Sequence, residues 1–317
     1  MSARTGRFGF SGARKYDGNP ILVPRGTSWE SRAVFNPTVW TDGERVSMLY
    51  RAEGPADHPD RESCSCIGFA TSDDGLHFVR NTGPVLEATE PFEIPGGCED
   101  PRLARPAGEY CLTYTAYDGT TARLALATSE DLLHWKKHGP MLPDERWEAF
   151  FPNEEIRSCF PRGWSKSGAI LPQQVNGLYW MFFGDTHIFV ATSKDLRHWD
   201  VIEEPLLSPR PGFFDSRLVE PGPAPVLLPE GIWLGYNGAD GDLRYAFGQC
   251  LLDPRDPRLV LARSETPLLE PTTVDETEGQ VPNVVFGEGL VAFKGDWLLY
   301  YGMADSRVGV AFLDRVE

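Results

Sequence analysis

Short runs of apolar and aromatic residues recur along the whole chain at the spacing of β-strands. Five aromatic runs occupy residues 46–52, 110–116, 178–183, 232–236 and 297–301, and each follows a shorter apolar run at 37–40, 101–103, 168–171, 224–227 or 283–286. The turn pairs Asp42-Gly43 and Asn176-Gly177 are typical of antiparallel hairpins. The pattern predicts five strand-rich units, each of about 50 to 65 residues, with almost no helix.

A repeated segment supports this division. Residues 69–78, 126–135 and 190–199 share the pattern Ala-Thr-Ser-x-Asp, and their serines lie 57 and 64 residues apart. Repeats of this length are typical of propeller blades, whereas a β-sandwich would not explain them. We therefore expect an all-β protein that forms a single five-bladed β-propeller domain over residues 1–317. The expected blades span approximately residues 30–85, 95–140, 160–205, 215–260 and 280–315, with the ring closed by the terminal segments.

In such a ring the innermost strand of each blade lines a central channel, so residues at the starts of these strands meet in space. Polar residues occupy these starts and are candidates for substrate binding: Asn36, Glu99, Asp100, Arg102, Lys166, Glu220 and Asn283.

The composition narrows the class of partner. The formal net charge is −16, and the 30 Lys and Arg residues are scattered, which argues against nucleic acid or a membrane and favours a small neutral carbohydrate. No stretch resembles a signal peptide or a membrane span. The six cysteines show no metal-binding spacing, so we expect a cytoplasmic protein with reduced thiols, no metal and no cofactor. We expect a monomer or homodimer.

Several motifs together resemble glycoside hydrolase family 130. They are Tyr50-Arg-Ala52, Gly97-Cys-Glu-Asp-Pro-Arg102, the repeated Ala-Thr-Ser-x-Asp-Leu-x-x-Trp and Tyr300-Tyr-Gly-Met-Ala-Asp305. The resemblance covers about residues 15–315. It implies a five-bladed propeller that cleaves β-mannosides with inversion, by hydrolysis or by phosphorolysis. It also implies that Asp100 is the general acid, that Asn36, Arg51 and Asp305 hold the transferred sugar, and that β-1,2-linked mannobiose or manno-oligosaccharides are substrates.

The chemistry of inversion agrees with a catalytic role for Asp100. Inverting cleavage needs one carboxylic acid at the leaving oxygen and an attacking group on the opposite face of the sugar. The neighbouring Glu99 is expected to raise the pKa of Asp100, because nearby like charges disfavour ionisation. An aspartate fixed in a turn before proline is the alternative interpretation.

Two positions favour water over phosphate as the attacking group. Asp185 stands where phosphorylases of this family carry a phosphate-binding Arg, and Asn237 stands where they carry a His. Compared with those phosphorylases, the site would have one cation fewer and one anion more, which disfavours the binding of phosphate. We therefore expect a hydrolase with Glu220 as the base, ahead of Asp185, and with Asp215 and Glu99 as further candidates. The alternative is a mannoside phosphorylase with inorganic phosphate as co-substrate, held by Lys166, Arg102 and Arg123.

Other residues are expected around the channel mouth. Tyr117, Asp118, Trp164 and His187 are candidates for sugar contacts there, and the loop 143–164 is expected to cover one side of the site. His77, His134 and His198 occupy the same repeated slot, which indicates a role in turns. A non-catalytic sugar-binding propeller is an alternative of another class.

Overall fold

The computed structural model describes residues 8–57, 59, 61–142 and 164–316. Within these residues the protein is almost entirely β-structure, with twenty-one strands, one α-helical turn (α1, Val274–Thr277) and one 3₁₀ turn (Pro106–Gly108). The all-β prediction is therefore confirmed. Neither of these described helices is long and apolar enough to cross a membrane.

The strands of the described chain form five antiparallel meanders in sequence order. The first contains β2 (Ala33–Thr41), β3 (Val46–Pro55), β4 (Ser63–Ser72) and β5 (Val79–Arg80), and the second contains β6 (Gly97–Ala104), β7 (Tyr110–Tyr117), β8 (Ala122–Ser129) and β9 (Lys136–Pro140). The third contains β10 (Ala169–Val175), β11 (Leu178–Phe183), β12 (Ile188–Ser193) and β13 (Asp200–Leu207). A single parallel bridge between Ser65 and Gly97 joins the first two meanders.

The fourth meander has a divided inner strand. β14 (Leu218–Pro221) and β15 (Val226–Leu228) both pair with β16 (Gly231–Ala239), which is followed by β17 (Tyr245–Asp253) and β18 (Asp256–Arg263). The sequence pattern predicted only the second part of this inner strand. The fifth meander contains β19 (Val285–Phe293), β20 (Asp296–Met303) and β21 (Arg307–Arg315), and the N-terminal strand β1 (Phe10–Lys15) pairs with β21 to complete it.

Apolar residues of successive meanders pack into shared clusters. In the described chain, Leu112 of the second meander packs with Leu49 of the first. Three further apolar clusters join the second meander to the third, the third to the fourth, and the fourth to the fifth. A further cluster joins the fifth meander to the first, where Tyr300 and Val310 pack against Val34 and Met48. Each meander therefore contributes to the packing on both of its faces.

The repeated Ser-x-Asp segments form the same turn in the first three meanders. In each, the serine hydroxyl accepts a hydrogen bond from a backbone N–H three residues later, as Ser129 does from Leu132 at 2.9 Å. The aspartate two residues after the serine accepts two backbone N–H groups and lies within 2.8 Å of a histidine Nδ1. The turn role predicted for His77, His134 and His198 is confirmed.

Buried tyrosine–carboxylate–cation groups anchor the segments that lead into the inner strands. Tyr114 donates to Glu93 at 2.7 Å, and Lys137 lies 2.6 Å from the same carboxylate. Equivalent groups of the described chain are Tyr50 with Glu30 and Arg80, Tyr236 with Asp215 and Arg263, and Tyr301 with Glu276 and Lys15. Each carboxylate is satisfied by several donors, so burial of its charge is compensated.

Candidate active site

Six of the predicted residues surround one cavity of about 160 Å³. The described residues that line this cavity are Asn36, Arg51, Asp100, Lys166, Glu220 and Asp305, together with Tyr245, Val281, Val284 and Phe286. They come from all five meanders or the segments that lead into them. Residues remote in sequence therefore meet in the way that the pattern of inner strands predicted.

Irregular backbone aims several of these side chains into the cavity. Asn36 and Asp100 have left-handed backbone, with φ of 47° and 46°, and each lies where the pairing of its strand shifts register. Asp305 has a φ of 49°. Left-handed backbone is uncommon outside glycine, and bulges of this kind re-aim side chains next to active sites.

Asp100 lies in a charged hydrogen-bond network. Its Oδ1 accepts hydrogen bonds from Asn36 Nδ2 at 2.9 Å and from Arg51 Nη1 at 3.1 Å. Arg51 also donates to Glu53 at 2.8 Å and to Glu99 at 3.0 Å. One guanidinium group thus serves three carboxylates.

The pKa of Asp100 differs from the expectation. Burial raises the pKa of this carboxyl, but Arg51, Lys166 and the Asn36 amide outweigh burial and lower it to about 2. The pKa of Glu99 is raised instead, by burial first and by Asp100 as a like charge. The prediction that Glu99 would raise the pKa of Asp100 is wrong in its net direction, because Arg51 and Lys166 could not be placed from the sequence.

Glu220 is a second buried carboxyl group on the same cavity. The Ser167 hydroxyl donates a short hydrogen bond to its Oε1, and Arg102 Nη2 lies 3.8 Å from that oxygen. Burial raises the pKa of Glu220, while Lys166 and Arg102 oppose this rise. Lys166 keeps its proton, because the carboxylates around it, Glu220 and Asp185 first, raise its pKa despite burial.

Asp305 provides the third carboxyl group of the cavity. Burial raises its pKa to about 7, with Arg51 opposing the rise and Asp100 adding to it. Asp185, the second candidate base, does not line the cavity but interacts with Lys166, and burial raises its pKa as well.

Three predicted residues have structural roles instead. Asp215, the third candidate base, is fully buried in the group with Tyr236, Arg210 and Arg263, away from the cavity. Asn237, which stands where phosphorylases of the family carry a His and was a candidate for substrate binding, is fully buried and bonds both the N–H and the C=O of Gly287. Arg102, also predicted to bind substrate, donates to the carbonyls of Pro221 and Gly222. Sequence alone could not distinguish residues that face the cavity from residues that lie behind it.

The remaining predicted residues are not among the described residues that line the cavity. Tyr117 and Trp164 make an edge-on ring contact at 6.3 Å, and Lys166 lies 6.0 Å from the Trp164 ring, which connects this pair to the cavity. Asp118 and Arg123 form an ion pair beside them at 2.6 Å.

His187 and Asn283 have different contacts. His187 packs edge-on against Phe189, and its buried Nδ1 has no hydrogen-bond partner among the described residues. Asn283 accepts the backbone N–H of Tyr245 through its own carbonyl. Except for Trp164, the loop expected to cover the site lies outside the described residues.

Sequence reasoning missed the apolar side of the cavity. Tyr245, Val281, Val284 and Phe286 line it together with the charged groups. Tyr245 begins β17, and its Cα pairs with Val284 across an isolated parallel bridge. The motif pattern gave no signal for this wall, because aromatic and β-branched residues at strand ends are also typical of a core. Within the described residues, no cluster of His, Cys, Asp and Glu side chains is suited to a metal ion.

Comparison with known proteins places the chain in a family. Residues 14–317 match the sequence profile of glycoside hydrolase family 130, described as β-1,4-mannooligosaccharide phosphorylase. The chain belongs to glycoside hydrolase family 130. The resemblance inferred from the motifs is confirmed.

Among curated relatives, two from Thermoanaerobacter sp. (strain X514) are each 33% identical to this chain. One is named 1,2-β-oligomannan phosphorylase and aligns over 96% of this chain and 98% of its own length. The other is named β-1,2-mannobiose phosphorylase and aligns over 93% and 95%.

Solved structures with the same fold cover almost the whole chain. A glycosyl hydrolase from Bacteroides ovatus is 37% identical, with a TM-score of 0.84 over 96% of this chain and 94% of that one. A second structure is 38% identical, with a TM-score of 0.84 over the same shares of the two chains. Its description states that the family of mannoside phosphorylases contains glycoside hydrolases that target β-1,2 mannosidic linkages in Candida mannan.

Proposed function

We propose that this protein cleaves β-mannosides with inversion, with β-1,2-linked mannobiose or manno-oligosaccharides as substrates and water as the acceptor. The observation that carries the proposal is the cavity itself, in which Asp100 and Glu220 come from different meanders and face the same space. Inverting hydrolysis needs two such carboxyl groups, one as acid and one as base.

The described residues support a role for each group. Asn36, Arg51 and Asp305 border the cavity beside Asp100 and would hold the hydroxyl groups of the sugar. Asp100 protonates the leaving oxygen as the glycosidic bond breaks, with the proton supplied by the Glu99–Asp100 pair. Glu220 removes a proton from the water that forms the new bond to the anomeric carbon. The raised pKa of Glu220 strengthens it as a base once it is ionised.

The charges of the cavity favour water over phosphate. Of the described residues that line it, three are carboxyl groups (Asp100, Glu220 and Asp305) and two are cations (Arg51 and Lys166). Arg51 is already shared by three carboxylates. A dianion would therefore compete with three carboxyl groups for two cations, which is costly in a buried site.

Phosphorolysis is the second candidate, and the names of the curated relatives support it better than hydrolysis. One feature of the cavity also favours it. No carboxylate of the described chain lies within ion-pair distance of the Lys166 ammonium, although that group faces the cavity. Lys166 could therefore contact a phosphate oxygen.

One experiment separates the two reactions. Purified protein is incubated with β-1,2-mannobiose, with and without inorganic phosphate, and free mannose and mannose 1-phosphate are measured. Free mannose formed at the same rate in both conditions supports hydrolysis. Mannose 1-phosphate that appears only with phosphate establishes phosphorolysis and rejects water as the acceptor. Binding of mannobiose without either product would indicate a non-catalytic sugar-binding protein.

We also propose that the five meanders form one five-bladed propeller domain with the blades given above. Support comes from the packing clusters of the described chain, which join each meander to the next and the fifth to the first. A crystal structure with five blades around one channel would establish this architecture. The monomeric or dimeric state and the cytoplasmic location stay predictions.

A further inference from the structure

Glu288 is a buried carboxyl group that lies behind the cavity and has no role in the proposed reaction. It sits in β19 where the pairing with β20 shifts register between Gly287 and Gly289. Asn237 holds this bulge through two hydrogen bonds to Gly287, at 3.1 and 2.8 Å. A Cβ on Gly289 would lie 2.9 Å from the carbonyl oxygen of Pro37. The bulge is therefore a fixed feature that places Glu288 in the interior.

Arg102 connects Glu288 to the strands that carry both proposed catalytic groups. Its Nη1 donates to the Asp100 carbonyl at 3.3 Å, and its Nη2 donates to the Pro221 carbonyl at 2.7 Å. The Arg102 side chain is 1% exposed. A rigid guanidinium group thus links the residue proposed as the acid to the residue after Glu220.

The surroundings of Glu288 do not suit a negative charge. Glu288 is fully buried, and neither carboxyl oxygen accepts a hydrogen bond from any described residue. Arg102 Nη2 forms an ion pair with Oε1 at 2.8 Å, but this contact lacks the geometry of a hydrogen bond, and the hydrogen bond of this nitrogen goes to the Pro221 carbonyl. The same nitrogen lies 3.8 Å from Glu220, so a single guanidinium charge faces two carboxyl groups. An ionised carboxylate at this depth with no hydrogen bond, and with one cation that also faces Glu220, is poorly compensated, and one proton removes the cost.

We propose that Arg102 is a positioning residue that fixes the strand of Asp100 against the strand of Glu220, and that Glu288 is a neutral, protonated acid. Because Glu288 is then uncharged, the positive charge of Arg102 interacts with Glu220 alone of the two. This inference rests on the proposed roles of Asp100 and Glu220. The charged groups that face Glu288 are Arg102 and Asp100 from β6, Glu220 from β14 and Arg51 from β3. Burial, and then Asp100 and Glu220, raise the pKa of Glu288 well above its usual range against the opposing effect of Arg102.

Infrared spectroscopy tests the protonation of Glu288 directly. The carbonyl stretching band of protonated carboxyl groups is recorded at neutral pH for the wild type and for Glu288→Gln. We expect the variant to lose one carboxyl group's share of this band. We also expect its activity to stay within about twofold and the acidic limb of its kcat/KM profile to stay in place, because glutamine resembles the neutral acid.

Glu276→Gln is the matched control, because Glu276 is equally buried but accepts four hydrogen bonds, from Thr272, Thr273, Lys15 and Tyr301. Burial raises its pKa, but these donors lower it overall, so this variant should keep the whole band. An unchanged band in Glu288→Gln, with an acidic limb moved to lower pH by about one unit as expected on removal of a like charge, would overturn the inference. If Glu288→Gln does not fold, the loss of one carboxyl group's share of the band is measured in Glu288→Met, whose side chain has a similar size and no charge.

Arg102→Lys tests the positioning role. Lysine keeps the charge but cannot bond two strands with a planar fork, so we expect kcat to fall between about ten- and a hundredfold, with KM within about twofold. Unchanged kcat in folded protein would refute the positioning role. Activity retained by Glu220→Gln would instead refute the proposed base, and the infrared result on Glu288 would be unaffected.

Discussion

Replacement of Glu220 by glutamine is the sharpest test of water as the attacking group. The change keeps the size of the side chain and an oxygen that can accept the Ser167 hydroxyl, so the fold should persist. It removes the charge that would take a proton from water. General base catalysis typically contributes about 10²- to 10⁴-fold. Because Glu220 is only 5% exposed, bulk solvent cannot easily replace it, and we expect a loss near the upper end, about 4 to 5 kcal/mol in activation free energy.

The assay measures mannose release from β-1,2-mannobiose in phosphate-free buffer. Asp185→Asn is the internal comparison, because Asp185 is the second candidate base and interacts with the same Lys166. Glu203→Gln, at an exposed position on β13, is the neutral control. In Glu220→Ala, added azide should attack the anomeric carbon without a base and yield α-mannosyl azide. Turnover by Glu220→Gln within about threefold of the wild type would refute the role of Glu220.

Three further predictions concern the acid, the pH dependence of stability and the buried anchors. Asp100→Asn should lower kcat by at least about 100-fold and leave mannobiose binding measurable by calorimetry; retained turnover would reject Asp100 as the acid. Folded Asp305 holds its proton up to about pH 7, whereas the unfolded chain loses it near pH 4. Its contribution therefore makes the free energy of unfolding fall as the pH rises from 4 to 7, and urea unfolding of Asp305→Asn should show a shallower fall; an equal slope would contradict this. Tyr114→Phe removes a 2.7 Å hydrogen bond to Glu93, which should lower the free energy of unfolding by about 1.5 to 3 kcal/mol. This loss corresponds to a fall in Tm of about 2 to 5 °C, and an unchanged Tm in calorimetry would contradict the prediction.

The strands and the repeated turns could be predicted from the sequence, because both depend on the local pattern of side chains. Alternation and repeat spacing predicted the strands and the turns around Ser72, Ser129 and Ser193, because each turn is closed by side chains within a few residues. Four cavity residues (Asn36, Asp100, Lys166 and Glu220) were predicted from their places at the starts of inner strands, whereas Arg51 and Asp305 were predicted only from the family resemblance.

The orientation of individual side chains could not be predicted in the same way. Arg102 and Asn237 look like ligand-binding residues in sequence, but both lie behind the cavity and bond backbone carbonyls or amides of other strands. The pKa of Asp100 depends on Arg51 and Lys166, which are 49 and 66 residues away in sequence. Such effects require the three-dimensional arrangement.

The pairing of β1 with β21 has a consequence for synthesis of the chain. Residues 10–15 pair with residues 311–315, and Asn19 bonds the backbone of Val310 through both its amide nitrogen and its amide oxygen. During synthesis β1 therefore cannot pair until β21, the last described strand, has been made. Until then the fifth meander lacks this strand, and a nascent chain arrested before β21 is complete should expose strand edges that recruit chaperones.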